Sequence, residues 1–285
     1  NIGRWNTSSV EDMSGMFRGT RDFNQYIGNW NTENVYYMDD MFSESEAFDQ
    51  DIGNWKLDKV TSMRYMFYGA KAFNQNIGGW NTSSVGNMNY MFGLNTIFNQ
   101  PIGNWNTGNV YNMDYMFYEA TAFNQDIGGW NTSNVYSMNG MFEGAAVFNQ
   151  NISGWDTKNV EEMDYMFLKA PAFNQNLGKW PLNSLTRADN MFGESGMSCQ
   201  NYSLTLKGWS ENGNTNSDVS FDEQTNMKYA NAAVAFRDNL INNKGWWISD
   251  DALVSPSDPC YSMALPIQFG SIDAYIKNGQ LFVNW

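Results

Sequence analysis

The residues that could do chemistry in this sequence are carboxylates, methionines, tyrosines and two cysteines, for there is no histidine. That absence removes the commonest general base and the commonest metal ligand. A Ser-His-Asp or Cys-His arrangement is therefore impossible. Asp39, Asp114 and Asp164, with Asp189 beyond them, recur at multiples of one spacing. Stacked carboxylates repel one another, and calcium takes oxygen ligands of this type. Arg64, Asn89 and Asn139 interrupt the series and no calcium-binding loop is present. The three aspartates are thus weak metal candidates, and a solvated face is the default reading. The same two readings apply to Asp218, Asp222, Glu223, Asp250 and Asp251. A carboxylate pair can cleave glycosides without histidine, but a carboxylate repeated along the chain is not a unique pocket. No catalytic residue is assigned, and an enzyme is not expected.

Met-x-x-Met occurs seven times, from Met13/Met16 to Met163/Met166. Thioether clusters can bind Cu(I), yet methionine at this spacing beside phenylalanine reads as core. No metal and no cofactor are expected. Cys199 and Cys260 most simply form one disulfide in a secreted chain, the alternative being two buried thiols. Tyr65, Tyr90, Tyr115 and Tyr165 share one repeated position, and Tyr36, Tyr111 and Tyr136 share another. Stacked tyrosines would form an aromatic stripe with polar tips, suited to binding. These seven are the binding candidates. The competing reading is that they only cover the layer beneath.

The element that must position them is a repeat. Trp recurs at 5, 30, 55, 80, 105, 130, 155 and 180, always 25 residues apart. The unit at 126–150 shows the full pattern. Val135, Met138, Phe142 and Ala145 fall on one face of a short helix, which Met141 widens, with 131–134 supplying N-caps. Ile127 to Trp130 reads as a strand. One such unit cannot bury its own apolar residues, whereas a stack of units can. Strand stacking at about 4.8 Å per coil gives a rod or shallow arc on the order of 40 Å long. Asn24, Asp49, Asn74 and their successors to Asn174 would form one ladder, and Gln25 to Gln200 a second. Both read as structural, since stacked amides satisfy turns above and below.

The eighth unit departs from the pattern: Pro181-Leu182 follow Trp180, and Ala188 replaces the first Met. Terminal repeats look like this when a cap follows. Residues 1–200 are thus read as the repeat array and 201–255 as a C-terminal cap. In the cap, 223–242 carries Met227, Ala230, Val234 and Leu240 in helical rhythm and Gly245 is a stop signal. Residues 256–285 read as a linker and a β-hairpin, Ile267-Gln268-Phe269 and Leu281-Phe282-Val283 flanking an Asn278-Gly279 turn and leading to a missing C-terminal domain.

The net charge is −14 and the pI near 4.3. Nucleic-acid binding needs Lys and Arg to neutralise phosphates, so no nucleic acid is expected, and anionic membrane surfaces are disfavoured. No apolar run approaches the roughly 20 residues that span a bilayer, so direct membrane insertion is not expected. The chain opens inside a repeat, at Asn1-Ile2-Gly3-Arg4-Trp5, and is read as a piece of a longer protein.

The run Trp-Asn-Thr-Ser-Asn-Val-x-x-Met-x-x-Met-Phe-x-Gly-Ala-x-x-Phe-Asn-Gln at 130–150 resembles the repeat of BspA-type leucine-rich-repeat surface proteins and of mycoplasmal surface lipoproteins. The resemblance covers 1–200. It implies a leucine-rich-repeat-like solenoid in a surface or secreted protein, often one associated with adhesion. Tyr202 to Trp209 looks like the closing segment of such arrays in Bacteroidota. Ala264 to Trp285 is similar to the segment preceding the sorting domain of type IX secretion substrates. The expected architecture is α/β: a right-handed solenoid of eight 25-residue leucine-rich-repeat-like coils with a C-terminal cap. The expected function is recognition or adhesion toward a protein or glycan partner, outside the cell or on a bacterial surface. The alternatives are a passive spacer or passenger whose partner is secretion or surface-assembly machinery and, far behind, a polysaccharide-acting enzyme.

Overall fold

The computed structural model describes residues 2–265, 273–277 and 280–284. Each unit contributes one rung to a parallel ladder. Asp12, Tyr37, Ser62, Asn87, Asn112, Ser137, Glu162 and Arg187 bridge one another in succession. Every unit therefore lies on the next in the same register.

The expected helix is absent from the units, because the first α-helix of the chain is α1, Cys199–Glu211. The cause is backbone handedness. Two positions per unit, four residues apart, are left-handed: Tyr90 at φ 55° with Leu94 at 56°, and Tyr115 at 54° with Glu119 at 52°. A right-handed helix cannot pass through such residues. The N–H groups that a helix would turn inward instead reach the following unit. Phe67 donates to the Met91 carbonyl at 2.9 Å and Gly69 to that of Gly93 at 2.8 Å. Tight local turns alternate with these links, as Met66 to Met63 at 3.3 Å. Apolar side chains at the spacing of a helix face are thus buried by a coiled turn. The segment Ile127–Trp130 is likewise a turn, closed by Trp130 N–H donating to Ile127 at 3.1 Å. The extended backbone lies further on, at the rung.

Aromatic columns fill the interior. Phe42, Phe67, Phe92, Phe117, Phe142 and Phe167 repeat at 5.6–5.7 Å with nearly parallel rings. Each packs on the second Phe of its own unit, as Phe117 on Phe123 at 3.9 Å. Every Trp from 30 to 180 donates its indole N–H to a carbonyl one unit back, as Trp130 to Ile102 at 3.1 Å. The seven Met pairs are buried in this core apart from Met16, at 38% exposed, and hold no exposed thioether cluster beyond it.

The asparagine ladder runs alongside. The Asn99 side-chain oxygen accepts the backbone N–H of Asn124 at 3.0 Å and the Gln125 amide at 2.9 Å. The same pair of bonds recurs from Asn24 to Asn174, where Ser198 N–H and the Asn201 amide take the place of the next Asn and Gln. One side-chain oxygen per unit thus satisfies a turn N–H that stacking would otherwise orphan.

Equivalent rings are spaced differently in the two columns. Trp80–Trp105 and Trp105–Trp130 are 6.3 and 6.5 Å apart. Tyr65–Tyr90 and Tyr90–Tyr115 are only 4.6 Å apart. The tyrosine rings thus stack face to face, whereas the tryptophan rings are more widely spaced.

The C-terminal segment extends the ladder as it closes it. Arg187 bridges Ser220 of β1, Ser220–Phe221, which pairs in parallel with β3, Trp247–Ile248. A second parallel pair joins β2, Lys228–Tyr229, to β4, Ala252–Leu253. Helix α1 lies over the eighth unit: Trp209 repeats the indole bond, to Leu177 at 2.9 Å, and Thr205 Oγ1 accepts the Leu177 N–H at 3.0 Å. Gly208 faces Gly178 so closely that a Cβ there would lie 2.3–2.6 Å from its backbone. The helix expected over 223–242 is shorter and later: α2 spans Val234–Lys244, behind a 3-10 turn, because β2 claims Lys228–Tyr229. It stops at Gly245, φ 69°. Cys199, the first residue of α1, is disulfide-bonded to Cys260, with Cα atoms 6.4 Å apart. Beyond it, β5, Asp273–Lys277, and β6, Gln280–Asn284, form an antiparallel pair. Its first strand is thus 273–277; the expected strand at Ile267-Gln268-Phe269 and the Asn278-Gly279 turn lie outside the described residues.

Candidate functional site

The rung, the residue before it and the residue two after it vary from unit to unit, so packing does not dictate them. The residue two after the rung is Ser14, Asp39, Arg64, Asn89, Asp114, Asn139, Asp164 and Asp189 in turn. These aspartates are structural. The Asp39 carboxylate accepts the Arg64 N–H at 2.8 Å and the Ser62 hydroxyl at 2.5 Å. Asp114 does the same for Asn139 and Ser137, and Asp164 accepts the Asp189 N–H at 2.8 Å. The reading of a solvated face is therefore corrected: each carboxylate caps a backbone N–H of the next unit. Asp164 is buried and its second oxygen pairs with Arg187 at 2.5 Å. Among the described residues no cluster of three or more acidic or sulfur ligands could hold a metal ion. Asn89 breaks the series. Asp114 N–H turns to Asn112 instead, and the buried Asn89 Oδ1 has no partner among the described residues. In the cap, the Asp251 carboxylate is equally far from a solvated face, its side chain fully buried against Arg237.

The tyrosines separate into two sets. Tyr65, Tyr90 and Tyr115 stand at a left-handed position and stack face to face, half-buried. Tyr68 and Tyr118 pack edge-on against them, at 5.5 Å to Tyr65 and 6.0 Å to Tyr115. This column ends at Gly140, over which the Tyr115 ring lies. Tyr165 stands one unit further and joins no stack. The sequence reading missed Tyr68 and Tyr118. The signal was their place three residues after a stacked Tyr, two units apart, with Gly93 between leaving room for the Tyr68 ring.

Burial pushes the phenols of this column up from the ordinary value of 10.0: Tyr65 and Tyr90 by desolvation first, and Tyr115, for the same reason and with Glu143 and Asp114 adding, to about 12. A phenol whose pKa is raised by folding stays protonated in the native state after the unfolded chain has lost its proton. The stability it contributes is full below pH 10 and is lost as pH rises toward 12. Alkaline melting curves should fall steeply in that window. The variant with Phe at 65, 90 and 115 should fall less; identical curves would show that the column is hydrated.

Tyr36, Tyr111 and Tyr136, beside the rung, are different. They are 39%, 43% and 44% exposed, and Tyr37 on the rung is 49% exposed. Tyr111 and Tyr136 stack at 5.8 Å with planes 6° apart, and Lys59 lies 5.7 Å from the Tyr36 ring centre. Thr61 and Gly86 separate Tyr36 from Tyr111, so the stripe is interrupted. The structure thus divides six of the seven tyrosines into an internal brace and an exposed row, with Tyr165 in neither.

Among the described residues no helix is long and apolar enough to cross a membrane. The family model described as "Mycoplasma protein of unknown function, DUF285" matches residues 1–102 and again 87–209. No curated protein matches the chain, and no solved structure does.

Proposed function

The chain belongs to the DUF285 family, and from that premise we propose that it is a non-enzymatic recognition module, a solenoid that presents its rung face to a protein or glycan outside the cell. The observation that carries this reading is the exposed row. Tyr36, Tyr37, Tyr111 and Tyr136 are large, partly apolar and open to solvent, on a frame whose tryptophans from 30 to 180 and phenylalanines from 42 to 192 are all interior. Nothing in the packing requires tyrosine there, since Thr61, Gly86 and Thr186 serve at the same position. Tyrosine supplies contact area at low entropy cost. Mounted on a rigid hydrogen-bonded ladder, it meets a partner preorganised, which reduces the cost of association.

BspA-like adhesion and a bacterial surface location belong to the same proposal and rest on the resemblance of the repeat, as export by type IX secretion rests on that of the segment Ala264 to Trp285. The shared residues are the buried ones, so they support a common frame more directly than a common ligand. The reading is tested by a binding screen of the folded chain on glycan and surface-protein arrays, with and without calcium. We expect a hit that Tyr36→Ser/Tyr111→Ser/Tyr136→Ser weakens at least tenfold, independent of calcium. A folded chain that binds nothing would leave the spacer reading in its place.

A further inference from the structure

Resting on the recognition reading, we propose that the rung face carries a defined saccharide site, a slot over the third and fourth units that takes a short neutral oligosaccharide. Position by position, the residue before the rung runs Tyr36, Thr61, Gly86, Tyr111, Tyr136. The two central side chains are small or missing, and a depression of about 460 Å³ results, with Tyr37 at one end and Tyr111 at the other. Three steps of the ladder separate these ends, roughly 14 Å at the usual strand spacing.

The end wall at Tyr111 is oriented. One face of its ring is covered by Tyr136. Gly86 meets the Cδ1–Cε1 edge of the ring, where a side chain would collide, a Cβ lying 2.7 Å from Cε1. With hydrogen at Gly86 the ring keeps its place, and Tyr111, 43% exposed, borders the slot. The face of an aromatic ring carries negative charge. The C–H side of a pyranose is apolar and slightly positive, and so packs on it.

The floor supplies what the hydroxyls need. Asn87 accepts the Asn89 N–H through its carbonyl at 3.0 Å, which fixes the amide and leaves its NH₂ without a partner among the described residues. Asp39 uses Oδ1 for Ser62 and Arg64 N–H, and its Oδ2 is likewise free. The Arg64 guanidinium is exposed and makes no hydrogen bond or ion pair among the described residues. One fixed amide donor, one fixed carboxylate acceptor and an exposed guanidinium beside an aromatic ring suit a polyhydroxylated ligand. A protein partner would look for a dry apolar pocket to seat an anchor residue, and Ser, Thr, Gly and Asn do not provide one. The net charge of −14 disfavours anionic polysaccharides, so the ligand is neutral.

The experiment is calorimetric titration of the intact chain with neutral tri- to pentasaccharides from glucan, mannan, galactan and chitin. One of these should bind. Tyr111→Ala and Asn87→Ala should each weaken it at least tenfold. Gly86→Leu, which displaces only the exposed Tyr111 ring and fills the slot, should abolish it with an unchanged melting curve. Tyr26→Ala, an exposed tyrosine away from the slot, should leave the affinity as it was. Saccharide binding indifferent to Gly86→Leu would overturn the slot. A protein partner captured by the rung face with no saccharide bound would also overturn it, while leaving the recognition reading intact. If neither class binds, both fall.

Discussion

Arg237→Ala is expected to lower stability by about 3–5 kcal/mol, as breaking a buried ion pair from one side does. The Asp251 side chain has no exposed surface, and Arg237 holds it through Nε at 2.9 Å and Nη2 at 2.6 Å. The same Nη2 donates to the Ile248 carbonyl at 3.2 Å, and the Tyr202 hydroxyl donates to Asp251 at 2.9 Å. One carboxylate therefore joins α1, α2 and the turn before β4. Without the guanidinium it would keep only a phenol, itself pushed well above its ordinary pKa by burial and by Asp251. The loss is in the uncompensated charge rather than in the pair. Arg237→Met/Asp251→Leu should accordingly recover much of the stability that either single change removes. Urea unfolding followed by tryptophan fluorescence measures both. A single-variant loss below about 1 kcal/mol would mean that water reaches Asp251.

The second large effect is in the repeat core. Phe117→Ala should cost about 3–5 kcal/mol, the range for truncating a buried aromatic. Phe117 is fully buried between Phe92 and Phe142 and beside Phe123. Phe17, the equivalent residue of the first unit, has Phe42 on one side and no preceding unit of the described chain on the other, and is 8% exposed. Its truncation should cost less. The two variants should also differ in kind. In a quasi-one-dimensional stack, each unit is stabilised by its neighbours. A break in the middle should divide the array into two blocks that melt separately, whereas a break at the end should leave one transition. Calorimetric scans distinguish these. A single sharp transition for Phe117→Ala would show coupling longer in range than nearest neighbours.

The period was legible because only 25-residue stacking can bury Trp, Val, two Met and two Phe from each unit. The structural role of Asn24 to Asn174 was legible for a related reason, an identical amide recurring wherever a turn must be satisfied. The helix was not. Phe142 and Met138 have the spacing of a helix face, but periodicity reports which side chains are buried and not the sign of φ. Left-handed positions announce themselves when they are glycine, as at Gly140 and Gly144. Tyr90, Leu94 and Glu119 hold the same geometry without that sign, because inter-unit hydrogen bonds and ring stacking outweigh the conformational cost. The tyrosines show the same limit. Tyr65 and Tyr111 vary equally along the repeat, yet one braces and the other is exposed, a difference set by backbone direction at each position. Asp39 and Asp114 read as solvent-facing for want of the one fact that matters, the N–H of the next unit beneath each of them. The slot beside Tyr111 was legible only as a missing side chain, at Gly86.

The most direct test of the account is a hydroxyl-radical footprint of the chain with the strongest binder from the arrays. Protection is expected at Tyr36, Tyr37, Tyr111 and Tyr136, on the exposed row, with Trp5 and Trp247 at the two ends as reactive as in the free chain. Protection confined to the ends, or to the cap around Trp247 and Leu253, would contradict it and make the rung face a support for contacts made elsewhere.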